Sequence, residues 1–445
     1  MHNGNAIRTR RTLTSLAGLA GLALAITVSG CSAGSLGDSG SDGKTTVTLL
    51  ADNGAGTIIS TALAKAFNAS QSGVEVKVET RPGGSDGDNL VKTRLSTNSM
   101  ADVFLYNTGS LFQQINPGRY LQPLDADVTS KLADSFTPQV SAGAQVFGVP
   151  IGTANAGGIL YNIPIYQRLK LKVPTTWDEF IANSQKIKAA GIDPVIQTYG
   201  GSDTWTAQLP VLADFHNVAV ADPSFAQDYT DNKVKFATTP AALAGFQHLQ
   251  QIHQLGLQNK DYAAATNAQG LTDLAIGKGA QYPMLSSLLS TLQQNNPDKV
   301  QDIGFFAQPG NDPATNGATV WSPNGLYIPK STTGAKLDAV KKLLAYAVTQ
   351  PACDAESKAA TPTGPYQVKG CTLPADVPQV TKDVAAYFDS GKTTPALEFL
   401  SPVKGPNLEN FCVQAGSGIA DAQKAAKLYD QDVTKQAQQL GLKGW

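Results

Sequence analysis

The sequence predicts an α/β protein of two lobes, each a mainly parallel sheet flanked by helices. Three observations carry this. Strand-like and helix-like segments alternate at short spacing near the start of the chain, which gives right-handed crossovers and parallel pairing. The chain has 445 residues, and single hydrophobic cores stop growing near ~250–300 residues, so two lobes are expected. Apolar residues make up 42% and charged residues 16%, which excludes a disordered chain. The 42 Gly and 25 Pro follow no three-residue period, which excludes collagen.

Residues 1–30 read as an export signal. Arg8, Arg10 and Arg11 form a basic start, and an apolar run follows from 16 to 28. That run is shorter than the roughly 20 residues of a membrane span and fits a secretory signal. It ends Val28-Ser29-Gly30-Cys31, which resembles the lipobox of bacterial lipoproteins. The resemblance implies cleavage before Cys31 and a diacylglycerol thioether on its sulfur. Thr9-Arg10-Arg11-Thr12-Leu13 also resembles a twin-arginine signal, so the export route stays open between the two. Residues 31–44 are Gly- and Ser-rich and read as a flexible tether. The signal carries three Arg and no acid, so the mature charge is 31 − 35 = −4. A mildly acidic chain offers nucleic acid no basic surface.

In the mature chain, residues 46–50 read as a first strand, 57–68 as a helix, and 74–78 as a second strand with period-two alternation. A helix at 89–97 and a strand at 102–106 follow. Ligands of such sheets sit beyond the carboxyl ends of the strands. That rule points to Asp52, Asn53, Arg81, Tyr106 and Asn107. A second block holds a strand at 158–161, a helix at 177–189 and a strand at 194–197. Thr176 or Asp178 can cap that helix and Gly191 can end it. Helices are expected at 241–254, 270–276 and 285–294, and strands at 302–306 and 325–328. Leu337, Val340, Leu343, Leu344 and Ala347 form the apolar stripe of a helix at 336–349. A long final helix is expected over 418–440.

Three cysteines remain after the lipobox: Cys353, Cys371 and Cys412. Without a C-x-x-C there is no zinc or redox signature. Outside the cytoplasm one disulfide and one buried thiol are expected. Cys371–Cys412 is the favoured pair, because both follow the helical middle section and bracket a loop-rich stretch. Cys353–Cys371 is the alternative. Among the Trp residues, Trp177 reads as core at a helix start and Trp445 as a frayed terminus. His248 and His253 read as exposed helix residues on different faces, which argues against a metal site.

The order of segments resembles the extracellular solute-binding proteins of family 1. These are carbohydrate-binding lipoproteins of ABC importers, relatives of maltose-binding protein. The carriers are Phe67-Asn68, Ala101-Asp102-Val103, Gly118-Arg-Tyr-Leu-Gln-Pro-Leu124 and Phe147-Gly-Val-Pro150. They continue with Leu160-Tyr161-Asn162, Val173-Pro-Thr-Thr-Trp-Asp-Glu-Phe180, Gly277-Lys-Gly-Ala280 and Gly325-Leu-Tyr-Ile-Pro-Lys330. The resemblance implies a periplasmic-binding-protein-like fold whose lobes hinge around a central cleft. Lobe one is expected to hold 45–153 and 307–358, and lobe two 154–306 and 359–445. Two departures stand out. The family's Gly-Ser-Trp after the Gly-Lys-x-Ala segment is replaced by Leu285-Ser286-Ser287, and the first strand ends in small polar residues, Asp52 and Asn53.

A sugar needs aromatic platforms and oriented polar groups. Trp205 occupies the loop where the family places a ligand aromatic. Trp321 and Tyr106 are the other aromatic candidates. The polar candidates are Asn53, Asn107, Asn155, Asp203, Ser286 and Asn324. Tyr366 matches a loop by which the family's second lobe re-enters the cleft. The resemblance implies a lipid-anchored monomer on the outer face of the cell membrane. It would deliver a sugar or oligosaccharide to the membrane subunits of an ABC importer, with no cofactor and no metal.

Rival readings are a secreted glycosidase and a receptor for a polyamine or phosphate ester. No phosphate loop or H-E-x-x-H supports catalysis. Arg81 is the only basic residue placed near a sheet end.

Overall fold

The computed structural model describes residues 43–445. The expected signal, Cys31 and all but the last two tether residues lie outside the described residues.

The first lobe is a five-stranded sheet in the order Val74–Arg81, Thr45–Asp52, Val103–Tyr106, Gly325–Tyr327, Gly148–Pro150. The helices Ala55–Ser70 and Gly84–Ser96 make the crossovers between its first three strands, which pair parallel as expected. Gly325–Tyr327 pairs antiparallel to both of its neighbours. One apolar cluster underlies this sheet, including Leu49, Leu63, Phe104, Phe147 and Leu343.

The second lobe is centred on Asn155–Asn162. This strand runs antiparallel to Gly279–Leu285, Ile303–Ala307 and Ala318–Trp321. Only the outer pairs, Thr393–Pro395 with Ala318–Trp321 and Asp193–Val195 with Gly279–Leu285, are parallel. Both sheets are therefore mixed rather than mainly parallel. The cause is the crossing of the chain between lobes: a strand leaving one sheet enters the other against the direction of its crossovers.

Two of the expected lobe limits move. Ala318–Trp321 pairs in the second sheet, so the chain re-enters the first lobe at 322–324 and not at 307. Val368 packs in the first-lobe core and bridges Leu132, so that lobe reaches past 358.

The helix Trp177–Ala189 starts on a capping box formed by Thr176 and Glu179, one of the two caps expected. The strand Gly279–Leu285 was hidden in the sequence by Pro283. Its neighbour Asp193–Val195 pairs only as far as Gln281, so Pro283 sits where no ladder bond on that side is lost. The final helix spans Ala422–Gln439, capped by Asp421, with a separate helix Leu408–Gly416 before it.

The disulfide joins Cys353 to Cys371, and Cys412 is a buried free thiol. The favoured Cys371–Cys412 pairing is thus corrected. Cys412 sits in a second-lobe core with Phe246, Leu408 and Tyr429, whereas the segment around Val368 folds back onto the first lobe beside the helix Gln350–Ala359. His248 is also not exposed. Its ring is 6% accessible and stacks on Trp177 with centroids 3.7 Å apart, and burial lowers its pKa to about 3. Trp445 is not frayed: its Nε1 donates to the Thr230 carbonyl at 2.8 Å.

Candidate functional site

Three passages of chain join the lobes. The first runs from Gly148–Pro150 into Asn155–Asn162, and the second from Ala318–Trp321 into Gly325–Tyr327. They meet where Ile151 N donates to Asn324 O at 3.0 Å. The third passage lies at 361–371. Ala154 N donates to Pro365 O at 3.0 Å, and Thr153 bridges Tyr366.

Beside these crossings lies a cavity of about 420 Å³, within the range of small-ligand sites. The first lobe lines it with Asn107, Thr108, Ser110 and Gln114. The crossings supply Asn155, Ser322 and Asn324. The second lobe supplies Trp321, Glu398, Phe399, Ser401 and Lys404. The indole of Trp321 covers Gly157, where an added Cβ would come within 2.8 Å of the ring. Its Nε1 donates to Glu398 Oε1 at 2.7 Å. Glu398 Oε2 lies 3.2 Å from Lys404 Nζ.

The strand ends of the first lobe also hold unsatisfied polar groups, in the residue before Asn107 and in the strand Val74–Arg81. Tyr106 is fully buried, and its hydroxyl has no hydrogen-bond partner in the protein. Burial, with the Asp88 carboxylate beside it, drives its pKa upward. Arg81 is 5% accessible and its guanidinium lies 5.8 Å from the Tyr106 ring centroid. It donates to the Pro82 and Leu105 carbonyls, and its Nε has no partner. Asn155 Oδ1 is buried and likewise unpartnered. Buried polar groups are normally satisfied, so the unpaired Asn155 on the cavity wall is one that a polar ligand or water can complete.

Of the residues expected from the sequence, Asn107, Asn155, Trp321 and Asn324 come together on this cavity, and Tyr106 is buried in the strand before Asn107. The others lie elsewhere. Asn53 is exposed at the end of its strand. Asp203 and Trp205 lie on the 3₁₀ segment Gly201–Gln208. Asp203 Oδ2 accepts from Asn267 N at 2.8 Å, and Trp205 packs against the second-lobe core.

Two candidates have their hydroxyls committed within the protein. Ser286 is fully buried; its Oγ accepts from Ala156 N at 3.0 Å and donates to Thr363 O at 2.9 Å. Tyr366 is 8% accessible and donates to Cys353 O at 2.7 Å, with Ser357 beside the same hydroxyl. These two tie the third passage in place.

The sequence reading missed Ser110, Glu398, Phe399 and Lys404. A signal for Glu398 was available. It follows Thr393–Pro395, which runs parallel to Ala318–Trp321, so both Trp321 and Glu398 lie at the carboxyl ends of neighbouring parallel strands. The short strand itself, Thr-Thr-Pro, carries too little pattern to be seen.

Among the described residues no group of three His, Cys, Asp or Glu is placed to hold a metal ion. Among them, too, no helix is long and apolar enough to cross a membrane.

Comparison with known proteins agrees with this architecture. A multiple sugar-binding protein of Streptococcus mutans is 26% identical over 294 residues, which are 64% of this chain and 66% of that one, just under two thirds of its length. Three binding proteins from Brucella are 30% identical over 133 residues, 31% of their own length. An apo form of RafE from Streptococcus pneumoniae superimposes with a TM-score of 0.75 at 18% identity, covering 90% of this chain and 99% of that one. A chitin oligosaccharide binding protein gives 0.69 at 20% identity, covering 89% and 99%. These likenesses establish the two-lobe fold. The profile of the bacterial extracellular solute-binding proteins matches residues 53–352, and the chain belongs to that family.

Proposed function

We propose that the protein captures a neutral sugar or oligosaccharide between its lobes and delivers it to the membrane subunits of an ABC importer. The observation that carries this reading is the cavity where Asn107, Asn155, Trp321 and Asn324 converge from both lobes and their crossings. An aromatic face with several amide side chains suits the C–H faces and rim hydroxyls of a sugar.

The charge of the cavity favours a neutral ligand. Among the described residues its charged lining residues, Glu398 and Lys404, pair with each other. A polyamine or phosphate ester would leave its charge without a free counter-charge on that wall. The sugar-binding names of the Streptococcus mutans relative and of the chitin oligosaccharide binding protein support the same ligand class. The chain is held to the outer face of the membrane by lipid on Cys31 and works as a monomer, and the lobe tips meet the importer.

A thermal-shift and calorimetric screen tests this with neutral mono- and oligosaccharides, polyamines and phosphate esters, and with product analysis afterwards. A ligand bound only by the folded state stabilises it by ~2.7 kcal/mol at a hundredfold excess over its Kd. A neutral sugar that shifts the transition and is recovered unchanged is the expected result. Binding confined to a charged solute, or a sugar consumed during the assay, would overturn it.

A further inference from the structure

The segment after Thr393–Pro395 reaches from the second lobe to the first. Glu398, in the short helix Leu397–Leu400, has three links. Its Oε1 accepts the Trp321 indole N–H at 2.7 Å, and its Oε2 lies 3.2 Å from Lys404 Nζ. Its main-chain carbonyl accepts the Ser110 hydroxyl at 2.5 Å, and Ser110 belongs to the first lobe.

The next residue, Phe399, seats on Gly109. A Cβ at position 109 would lie 2.6 Å from Phe399 Cδ1 and 2.7 Å from its Cα. Gly109 also has a φ of +66°, a conformation that costs side-chain-bearing residues. Both the close approach and the backbone demand glycine there. The first lobe is therefore shaped to receive this segment.

We propose that residues 396–404 form a strap that couples the orientation of Trp321 to the approach of the two lobes, with Glu398 as its positioning residue. One side chain serves both ends. Its carboxylate fixes the indole, held between Trp321 and Lys404, and its main chain takes the hook from Ser110. A shift of the first lobe, carrying Ser110 and Gly109 away from the strap, pulls on the same residue that orients the ring. Where Trp321 serves as the sugar platform, as the proposed function has it, closure and platform alignment become one event. The coupling itself belongs to the ligand-free protein, so it is tested without any sugar, and its failure is distinct from failure of the sugar reading.

The test is the indole N–H resonance of Trp321 in the ligand-free protein, assigned by its loss in Trp321→Phe. Glu398→Gln keeps an oxygen acceptor but loses the ion pair, and should move that resonance. Glu398→Ala should also speed solvent exchange of the indole proton about tenfold, the loss of a hydrogen bond to a charged group. Ser110→Ala is the deciding variant, because it touches neither Trp321 nor the carboxylate. With coupling, it shifts the Trp321 resonance and speeds its exchange while the three other indoles stay fixed. If Ser110→Ala and Gly109→Ala both leave Trp321 at its wild-type position and exchange rate while Glu398→Ala changes them, the strap is a local contact and the proposal fails.

Discussion

Glu356 Oε2 accepts the main-chain N–H of Gly152 at 3.0 Å, tying the helix Gln350–Ala359 to the first crossing between the lobes. Glu356 is only 5% accessible. Burial raises its pKa to about 8, against the lowering effect of the Gly152 bond. Asp214, in the second lobe, is also raised to about 8 by burial. The folded protein thus keeps protons that the unfolded chain releases above its ordinary carboxylate pKa near ~4. The resulting stability is fully present below that pH and is lost as pH rises through 8. Each group contributes a slope of up to ~1.4 kcal/mol per pH unit across that window.

Glu356→Gln preserves an acceptor for Gly152 and removes the ionisation. The variant should equal or exceed the wild type at pH 9 and differ least near pH 5. Urea midpoints across that range read the slope. Identical slopes in both proteins would mean that Glu356 ionises like an exposed carboxylate.

The disulfide prediction follows from a sequence separation of 18 residues between Cys353 and Cys371. Closing a loop of that size stabilises by ~3 kcal/mol. Cys353→Ser and Cys371→Ser should each cost about that much, and Cys412→Ser should respond to reductant as the wild type does. Non-reducing peptide mapping should yield the 353–371 cross-link, with Cys412 alkylated only after unfolding. A 371–412 cross-link would contradict the fold of residues 361–371.

What the sequence disclosed and concealed divides along physical lines. The crossover units of the first lobe were legible because strand and helix periods alternate there at short range. The rule about strand ends pointed to Asn107, which lines the cavity. Trp321 and Asn324, which precede a visible strand, line it too. Ser286 and Tyr366 have their hydroxyls engaged within the protein, by Ala156 and Thr363 and by Cys353, and bonds across such sequence distances leave no local pattern. Glu398 escaped because its strand has three residues and its partners, Ser110 and Trp321, are 288 and 77 positions away.

Ser286 offers a test that separates a crossing tie from a ligand contact. Its fully buried hydroxyl satisfies Ala156 N and Thr363 O together. Ser286→Ala leaves one buried N–H and one carbonyl without that partner, at a cost of ~1–3 kcal/mol. The loss should appear in the unfolding midpoint of the ligand-free protein. A variant of unchanged stability but weakened ligand binding would return Ser286 to the list of contacts.

Trp321 and Trp205 make contrasting predictions for binding. Trp321 lines the cavity, whereas Trp205 packs against the second-lobe core. For a sugar identified in the screen, Trp321→Ala should weaken binding tenfold or more, about 1.4 kcal/mol. Trp205→Ala should act mainly on stability, through loss of buried aromatic area. Calorimetric Kd values beside unfolding midpoints make the comparison. An affinity loss confined to Trp205→Ala would place the ligand away from the cavity described.

The C-terminus gives the last prediction. Lys235 Nζ stands 3.8 Å from the centroid of the Trp445 ring, and Tyr229 meets the same ring edge-on at 6.3 Å. The Trp445 indole N–H reaches Thr230 O at 2.8 Å, and Asn232 Nδ2 holds Gly444 O at 2.8 Å. Lys235 Nζ is buried with no hydrogen-bond partner, and burial lowers its pKa. The aromatic face, with the Asp430 carboxylate nearby, compensates a partly desolvated ammonium. Deleting Trp445 removes the cation–π contact, the indole hydrogen bond and buried ring area in one step. The expected loss is ~1–3 kcal/mol, read as a lower melting temperature. Lys235→Met supplies the control, because it removes the ammonium that needs compensation. Deleting Trp445 should therefore cost less in that background, and equal losses in both would show that the ring packs without serving the charge.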